Sequence, residues 1–172
     1  MNKFLKIVSF KLRILERWVA PFVLLLVRLY VGQEFWVSGQ NKLGEGFSHA
    51  KSVFNTLFKD EWESHKTKHW IGLDITFPVP PDWLGGFGVS YAEMILAVLL
   101  VVGLAGRAAA FGIFMIALTI ELFVYPDTGT PENHYWMLLM AIIVSVGPGK
   151  LSLDYFIRKK MLEDRPATVD VH

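Results

Sequence analysis

The stretch that decides the fold runs from Arg28 to Lys42 and reads R-L-Y-V-G-Q-E-F-W-V-S-G-Q-N-K. It lies in and just beyond a long apolar run, residues 21–39. At 3.6 residues per turn, two cations, two glycines and one aromatic residue fall on one helical face: Arg28, Gly32, Phe35, Gly39 and Lys42. A cation facing hydrocarbon is costly, so Arg28 should face protein, water or a buried acid. The glycines should let a neighbouring backbone come close.

Composition places the chain among integral membrane proteins. Its 172 residues predict one domain, 1–172, and 53% of them are hydrophobic, with a mean hydropathy of +0.39. The absence of cysteine excludes disulfides, thiolate nucleophiles and iron–sulfur ligands. No basic, aromatic-laced surface stands apart from the membrane flanks, so we expect no nucleic-acid binding.

Four apolar runs predict an all-α fold, an integral membrane four-helix bundle with spans of about 21–39, 88–105, 108–125 and 131–147. The start of the second span is open between two alternatives. Ser90 and Glu93 fit a capping box that would begin the helix near Ser90. Alternatively, Pro81 occupies the first turn and the helix runs on through three glycines.

Amphipathic segments flank these spans. Residues 1–18 predict a basic amphipathic helix on the membrane surface, which we expect to stay attached because no signal-peptide cleavage pattern follows it. A second surface helix is predicted over 150–160. The long polar connection 40–80 should lie outside the membrane and contain a short amphipathic helix around 47–62. Residues 70–81 alternate apolar and polar side chains, which indicates an extended segment or a short hairpin arm.

Basic residues predict the topology. They gather in the N-terminal arm, at Arg107 between the second and third spans, and in the C-terminal arm, whereas the connection 126–133 has none. Short flanks rich in Lys and Arg remain cytoplasmic, so both termini of this multi-pass protein should lie on the cytoplasmic side of the plasma (inner) membrane.

Ionisable residues at membrane depth are the candidate ligand-binding or proton-exchange groups. We expect four of them to meet in one cluster between the helices, with His134 on the same outer side: Arg28, Lys42, Glu93 and Glu121. Two alternatives remain, since Glu93 could be a helix cap and Glu121 could form a structural ion pair. No haem or metal is expected, because the remaining histidines lie in a loop or the tail.

The order and spacing of several motifs resemble the DoxX family of membrane proteins. They include the Arg28–Lys42 stretch, Leu57–Trp62 ahead of Pro80-Pro81, and Leu99–Arg107. Phe123-Val124-Tyr125-Pro126-Asp127 with His134 and Trp136 gives the nearest likeness, followed by Gly147–Asp154. The resemblance implies a four-helix membrane protein, some relatives being small membrane subunits of thiosulfate:quinone oxidoreductase.

Three functions follow as hypotheses. The first is a quinone-interacting membrane subunit of a sulfur- or thiol-linked oxidoreductase system, with quinone as cofactor and a partner subunit as electron source. The second is a non-catalytic scaffold or assembly factor for a partner protein, and the third is a carrier of lipid or a small molecule. The lipid bilayer is an expected partner in each case, and a homo-oligomer is compatible with all three.

Overall fold

A computed structural model describes residues 15–71, 73–126 and 131–163 and is mostly helical. The elements are α1 (Ala20–Leu43), α2 (Phe47–Phe54), α3 (Asp60–His65), β1 (Thr67–Trp70), β2 (Leu73–Thr76), α4 (Val89–Val102), α5 (Gly106–Phe123), α6 (Pro131–Val146) and α7 (Leu153–Glu163). Short π-helical turns precede three helices: Leu15–Val19 before α1, Asn55–Lys59 before α3 and Trp83–Gly88 before α4. Most of the surface helix expected at 1–18, and the tail after 163, lie outside the described residues.

Among the described residues, three helices are long and apolar enough to cross a membrane: Arg17–Leu43, Trp83–Val102 and Gly106–Phe123. The prediction of an integral membrane protein with apolar helices is therefore confirmed for these three. The fourth predicted span corresponds to α6, whose 16 residues extend about 24 Å at the rise of an α-helix. That length is below the roughly 30 Å of a hydrocarbon core.

The second span begins before Ser90, so the capping-box interpretation is wrong and the Pro81 alternative holds. The amides of Leu84 and Gly85 donate to the carbonyl of Pro81 at 2.9 and 3.0 Å. Instead of capping a helix end, Ser90 Oγ donates within the helix to the carbonyl of Gly86 at 2.7 Å. A Cβ at Gly86 would collide with the backbone of Ala50 in α2. Gly86 is therefore required in this turn because α2 packs directly on its backbone.

The long connection 40–80 folds into α2, α3 and an antiparallel hairpin. The hairpin pairs Thr67 with Thr76 and Trp70 with Leu73, so it begins three residues before the predicted arm. Because Pro78, Pro80 and Pro81 have no N–H to donate, pairing ends before them. The predicted hairpin arm is thus present, and the all-α description needs this one two-stranded addition.

Asp82 ties the connection to the start of the second span. It lies 3.3 Å from Lys59 Nζ and 3.4 Å from Lys51 Nζ. Burial by itself would raise the pKa of Asp82, but hydrogen bonds from Asn55, Lys59 and Lys51 outweigh it and lower the pKa. A lowered pKa means that the stabilising charge is lost only as the pH falls below the usual range of an aspartate.

The spanning helices pack as two close pairs, α1 with α4 and α5 with α6, and the pairs meet mainly through α4 and α5. Their shared core consists of Val31, Phe35, Ala97, Leu100, Ala109, Ala110, Ile113, Met140 and Ile143. Large apolar side chains remain exposed on the outward faces, among them Phe22, Leu26, Ile95, Phe111 and Leu138. An apolar exterior around an apolar core is the pattern expected of helices surrounded by lipid.

We call the end of the bundle that carries α2, α3 and the hairpin the loop end, and the opposite end, with Gly103, Gly106 and α7, the basic end. At the basic end, both carboxylate oxygens of Asp154 accept hydrogen bonds, from the amides of Ala105 and Gly106, each at 2.8 Å. This caps α5, whose first amides would otherwise lack partners. Arg28, fully buried, donates from Nη2 to the carbonyl of Leu151 at 2.5 Å.

The substitution Gly103→Ala should destabilise the protein more than Gly46→Ala. Both glycines have positive φ, +73° and +117°, so each alanine should cost about 1–3 kcal/mol of unfolding free energy through backbone strain. Only the Cβ at position 103 would also collide with Arg28 Nη1, whereas the space around Gly46 is open. Thermal unfolding in detergent measures the stability of the two variants. Equal losses of stability would contradict the close contact between Gly103 and Arg28.

Candidate functional site

The site begins with the close approach of α1 and α4. A Cβ at Gly39 would lie 2.7 Å from the carbonyl oxygen of Ser90 and 2.7 Å from Met94 Cγ. About two helical turns earlier, a Cβ at Gly32 would collide with Val101. The structure thus places the two glycines of the stripe directly against α4, where small residues let the helices come together.

One turn beyond Gly39, this approach brings Lys42 to Glu93. Lys42 Nζ lies 2.5 Å from Glu93 Oε1, and Ser38 Oγ donates to Glu93 Oε2 at 3.1 Å. The side chain of Glu93 is only 1% exposed, whereas that of Lys42 is 19% exposed. A buried carboxylate needs such a cation and such hydrogen bonds to remain ionised. Glu93 is therefore the buried half of an ion pair between helices, not a helix cap.

A cavity of about 270 Å³ adjoins this pair at the loop end. Its walls come from α1, the connection, α4 and α5: Lys42, Phe54, Phe58, Trp62, Pro80, Leu84, Gly85, Val89, Met115, Ile116, Thr119, Ile120 and Val124. Lys42 is the only charged residue among them. Leu84 and Met115 are 43% and 41% exposed, so the cavity opens onto the apolar outer surface of the helices.

Aromatic rings form the wall of the cavity beneath the connection. Lys42 Nζ lies 5.7 Å from the centroid of Phe58, within cation–π range. Trp62 stacks on Phe123 with centroids 4.6 Å apart and an interplanar angle of 15°. Among the described residues, the buried indole N–H of Trp62 has no hydrogen-bond acceptor. A buried donor without an acceptor is costly, so this indole N–H is a cost that the stacking of the ring has to offset.

Glu121 belongs to a different contact. Its Oε1 lies 3.1 Å from His134 Nε2, and Asn133 Nδ2 donates to its Oε2 at 3.4 Å. These contacts join α5 to the first turns of α6. His134 is 58% exposed and Glu121 is 15% exposed, which places the pair at the surface of the helix pair. These contacts are those expected if Glu121 forms a structural ion pair, the alternative that the sequence left open.

Of the expected cluster, Lys42 and Glu93 do meet within hydrogen-bonding distance, but Arg28 and Glu121 make separate contacts. Arg28 and Lys42 are 14 residues apart on α1, about 21 Å along a helix, so they occupy opposite ends of the bundle. Lys42 meets Glu93, Glu121 meets His134, and Arg28 meets the backbone at the basic end. A shared helical face predicts the direction of each side chain, but it does not predict which residue of another helix each one meets.

No group of three potential metal ligands occurs in the described part of the chain. His69 lies on β1 and its Nδ1 is 2.6 Å from Asp74 Oδ1 across the hairpin. His65 ends α3 instead of sharing a helix with His69.

Comparison with protein families gives one match. The family model described as DoxX matches residues 23–126, more than half of the chain. The chain belongs to the DoxX family. Neither curated proteins nor solved structures gave a match.

The DoxX match covers the Lys42–Glu93 pair and every residue that lines the adjoining cavity. It ends at Pro126, before His134 and before the 147–154 segment whose motifs resemble the same family. The cavity is therefore built within the part of the chain that the family model describes.

The sequence does not predict the aromatic wall or the contact made by Ser38. The apolar periodicity of 47–62 predicts an amphipathic helix that includes Phe58 and Trp62, but it does not show which surface this face contacts. Ser38 lies between two stripe positions, and its bond to Glu93 depends on how closely α1 meets α4. No pairing signal in a single sequence would have identified either contact.

Substituting Lys42 and Glu93 singly and together should show strong coupling. Lys42→Gln leaves Glu93 buried without a cation and should cost roughly 3–5 kcal/mol of unfolding free energy. Glu93→Gln should cost less, because the partly exposed Lys42 can reach water. The double variant should recover most of the loss, as measured by unfolding in detergent micelles. Additive losses would show that the two groups do not interact.

Proposed function

We propose that this DoxX-family protein is the quinone-binding membrane subunit of an oxidoreductase that acts on a sulfur compound or thiol. The observation that carries the proposal is the cavity beside the Lys42–Glu93 pair, apolar except for one cation and open to the lipid-facing surface. Its volume is near the lower limit of small-molecule sites, which suits a single ring whose isoprenoid tail remains in the bilayer.

The residues present fit the polar edge and flat faces of such a ring. Lys42 can donate to a carbonyl oxygen, because it lines the cavity and keeps part of its side chain exposed. Phe58 and Trp62 provide aromatic surfaces for stacking. Glu93 holds Lys42 in position, while the apolar walls exclude water and strengthen these contacts.

A bound quinone supplies a two-electron, two-proton acceptor. Electrons would come from a reduced sulfur compound or thiol on a partner subunit, which the resemblance suggests, because the sequence has no cysteine to relay them. Lys42, the charged group of the cavity lining, would pass the two protons to the ring one after the other, each replaced from the loop-end solution, while Glu93, 2.5 Å behind it, holds the ammonium group in place. The partly exposed Lys42 side chain gives this pair contact with the loop-end solution.

Cavity filling tests the proposal without breaking the ion pair. Thr119→Phe should occupy the cavity and weaken the binding of a short-chain quinone at least tenfold. Ser145→Phe is the matched control, because Thr119 and Ser145 both bond the carbonyl four residues earlier on a spanning helix, and Ser145 does not line the cavity. Binding is measured by titration of purified protein, with solvent extraction and mass spectrometry of copurified quinone.

The double variant Lys42→Gln/Glu93→Gln tests the polar contact, and should lower quinone affinity roughly 10- to 100-fold through loss of a charged hydrogen bond. The proposal fails if no quinone binds the wild-type protein, or if Thr119→Phe binds it as well as Ser145→Phe does.

The proposed arrangement has four spans in the plasma (inner) membrane, with the basic end in the cytoplasm. The apolar outward side chains of α6, which packs along α5, support the fourth span: Leu138, Ile142 and Val146. Arg17, Arg107 and the cations of α7 at one end support the orientation.

Reporter fusions check this topology. A reporter inserted at Ser64, in α3 at the loop end, should be active on the extracytoplasmic side. The same reporter at His172 should report the cytoplasm, because short basic flanks are retained there. Identical results at the two positions would rule out four spans.

A scaffold for a partner protein is the second candidate, and one observation favours it. The hairpin projects apolar side chains into the surroundings, with Ile71 101% and Leu73 66% exposed. Exposed apolar groups on a polar loop mark interaction sites. This function becomes the leading one if quinone is absent from the purified protein and a partner copurifies through the hairpin.

A further inference from the structure

A larger cavity, of about 660 Å³, lies at the opposite end of the bundle from the proposed quinone site. It is enclosed by the first turns of α1 and α5, the end of α6, the loop 147–152 and the start of α7. Its lining includes Pro148 and Gly149. Gly149 has φ +86° and packs on Leu24. The cavity therefore lies between elements, where the ends of α1, α5 and α6 meet the surface helix α7.

Positive charge dominates the cavity lining. The lining contains three cations, Arg107, Lys150 and Arg158, and one acid, Asp154, so its net charge is +2. Asp154 already uses both carboxylate oxygens on the amides of Ala105 and Gly106. Within residues 15–71, 73–126 and 131–163, none of the three cations has an ion-pair partner. The lining thus has positive charge that this part of the protein leaves uncompensated.

The surroundings of the cavity place it at the surface of a bilayer. Beside it, α7 exposes an apolar set at helical spacing: Leu153, Phe156, Ile157, Met161 and Leu162. Trp18, 70% exposed, lies in the turn preceding α1 at the same end. Apolar and tryptophan side chains next to cations are typical of a helix lying in the headgroup region. An occupant of the cavity would therefore come from the membrane.

We propose that this cavity binds the phosphate-bearing headgroup of an anionic phospholipid in the leaflet at the basic end. Basic pockets between spanning helices are the protein features that recognise such headgroups. Arg107 and Arg158 can each present two N–H groups to phosphate oxygens, and Lys150 adds a third charge. The acyl chains extend along the exposed apolar surface of α1 and α7. The bound lipid fastens α7 to the ends of α5 and α6.

Lipid nanodiscs provide the test. Wild-type protein should unfold at a higher temperature in discs containing phosphatidylglycerol than in discs of phosphatidylcholine alone, because binding to the native state stabilises it. Native mass spectrometry should show retained phosphatidylglycerol. Arg107→Gln/Arg158→Gln should weaken this retention roughly 30-fold, at about fivefold for each cation near the membrane surface.

Lys160→Gln is the matched control. Lys160 lies on the same helix and carries the same charge, but it does not line the cavity. It should retain phosphatidylglycerol like the wild type, and Arg107→Lys, which keeps the charge, should retain most of it. Arg158→Gln alone should weaken retention about fivefold, so this single variant keeps the proposal testable if the double variant does not fold.

Three results would overturn the proposal. Equal loss in Lys160→Gln and in the Arg107 or Arg158 variants would mean diffuse attraction to an anionic surface. Equal retention by the wild type and Arg107→Gln/Arg158→Gln would mean that the lipid binds elsewhere. If millimolar inorganic phosphate stabilises protein in phosphatidylcholine discs as well as phosphatidylglycerol does, the site takes a free anion, not a lipid.

Discussion

The close packing of α1 on α4 is the constraint on which the rest of the structure depends. At Gly32 and Gly39 any side chain would meet the neighbouring helix, and at Gly39 that neighbour includes the carbonyl oxygen of Ser90, which cannot turn away as a side chain can. This proximity lets Ser38 and Lys42 reach a carboxylate that is 1% exposed. Without it, Glu93 would be a charge buried among apolar side chains, a state that proteins avoid by compensation or by neutralisation.

Each end of α1 carries a cation, but the two cations have different surroundings. Near the basic end, Arg28 is fully buried and holds the carbonyl of Leu151, so it connects α1 to the segment that leads into α7. Near the loop end, Lys42 keeps part of its side chain exposed and lines a cavity. A buried cation held by the backbone contributes to assembly of the bundle. A cation with one side towards a cavity remains available to a ligand, and this difference is why the proposed site is placed at Lys42.

The two cavities also differ in the chemistry they favour. The one at the loop end is mostly apolar, with a single cation and aromatic walls, and it suits a flat, weakly polar molecule that partitions into lipid. The one at the basic end has a net positive lining next to an amphipathic helix and suits an anionic headgroup. Because α1 and α5 contribute to the walls of each, lipid bound at one end and ligand bound at the other would both act on the same helix packing.

The sequence by itself determined that the chain is a helical membrane protein of the DoxX family, since apolar run length, basic flanks and ordered motifs are properties of the linear chain. It also determined which residues share a face of α1, because helical periodicity follows from spacing alone. Which residues meet across helices was decided only by the tertiary structure. The depth and rotation of each helix depend on packing at single positions, such as Gly39 against Ser90. That packing paired Lys42 with Glu93 and Glu121 with His134. Trp62 and Phe58 line the cavity because the connection folds back on α5. This is a long-range contact that local periodicity does not encode.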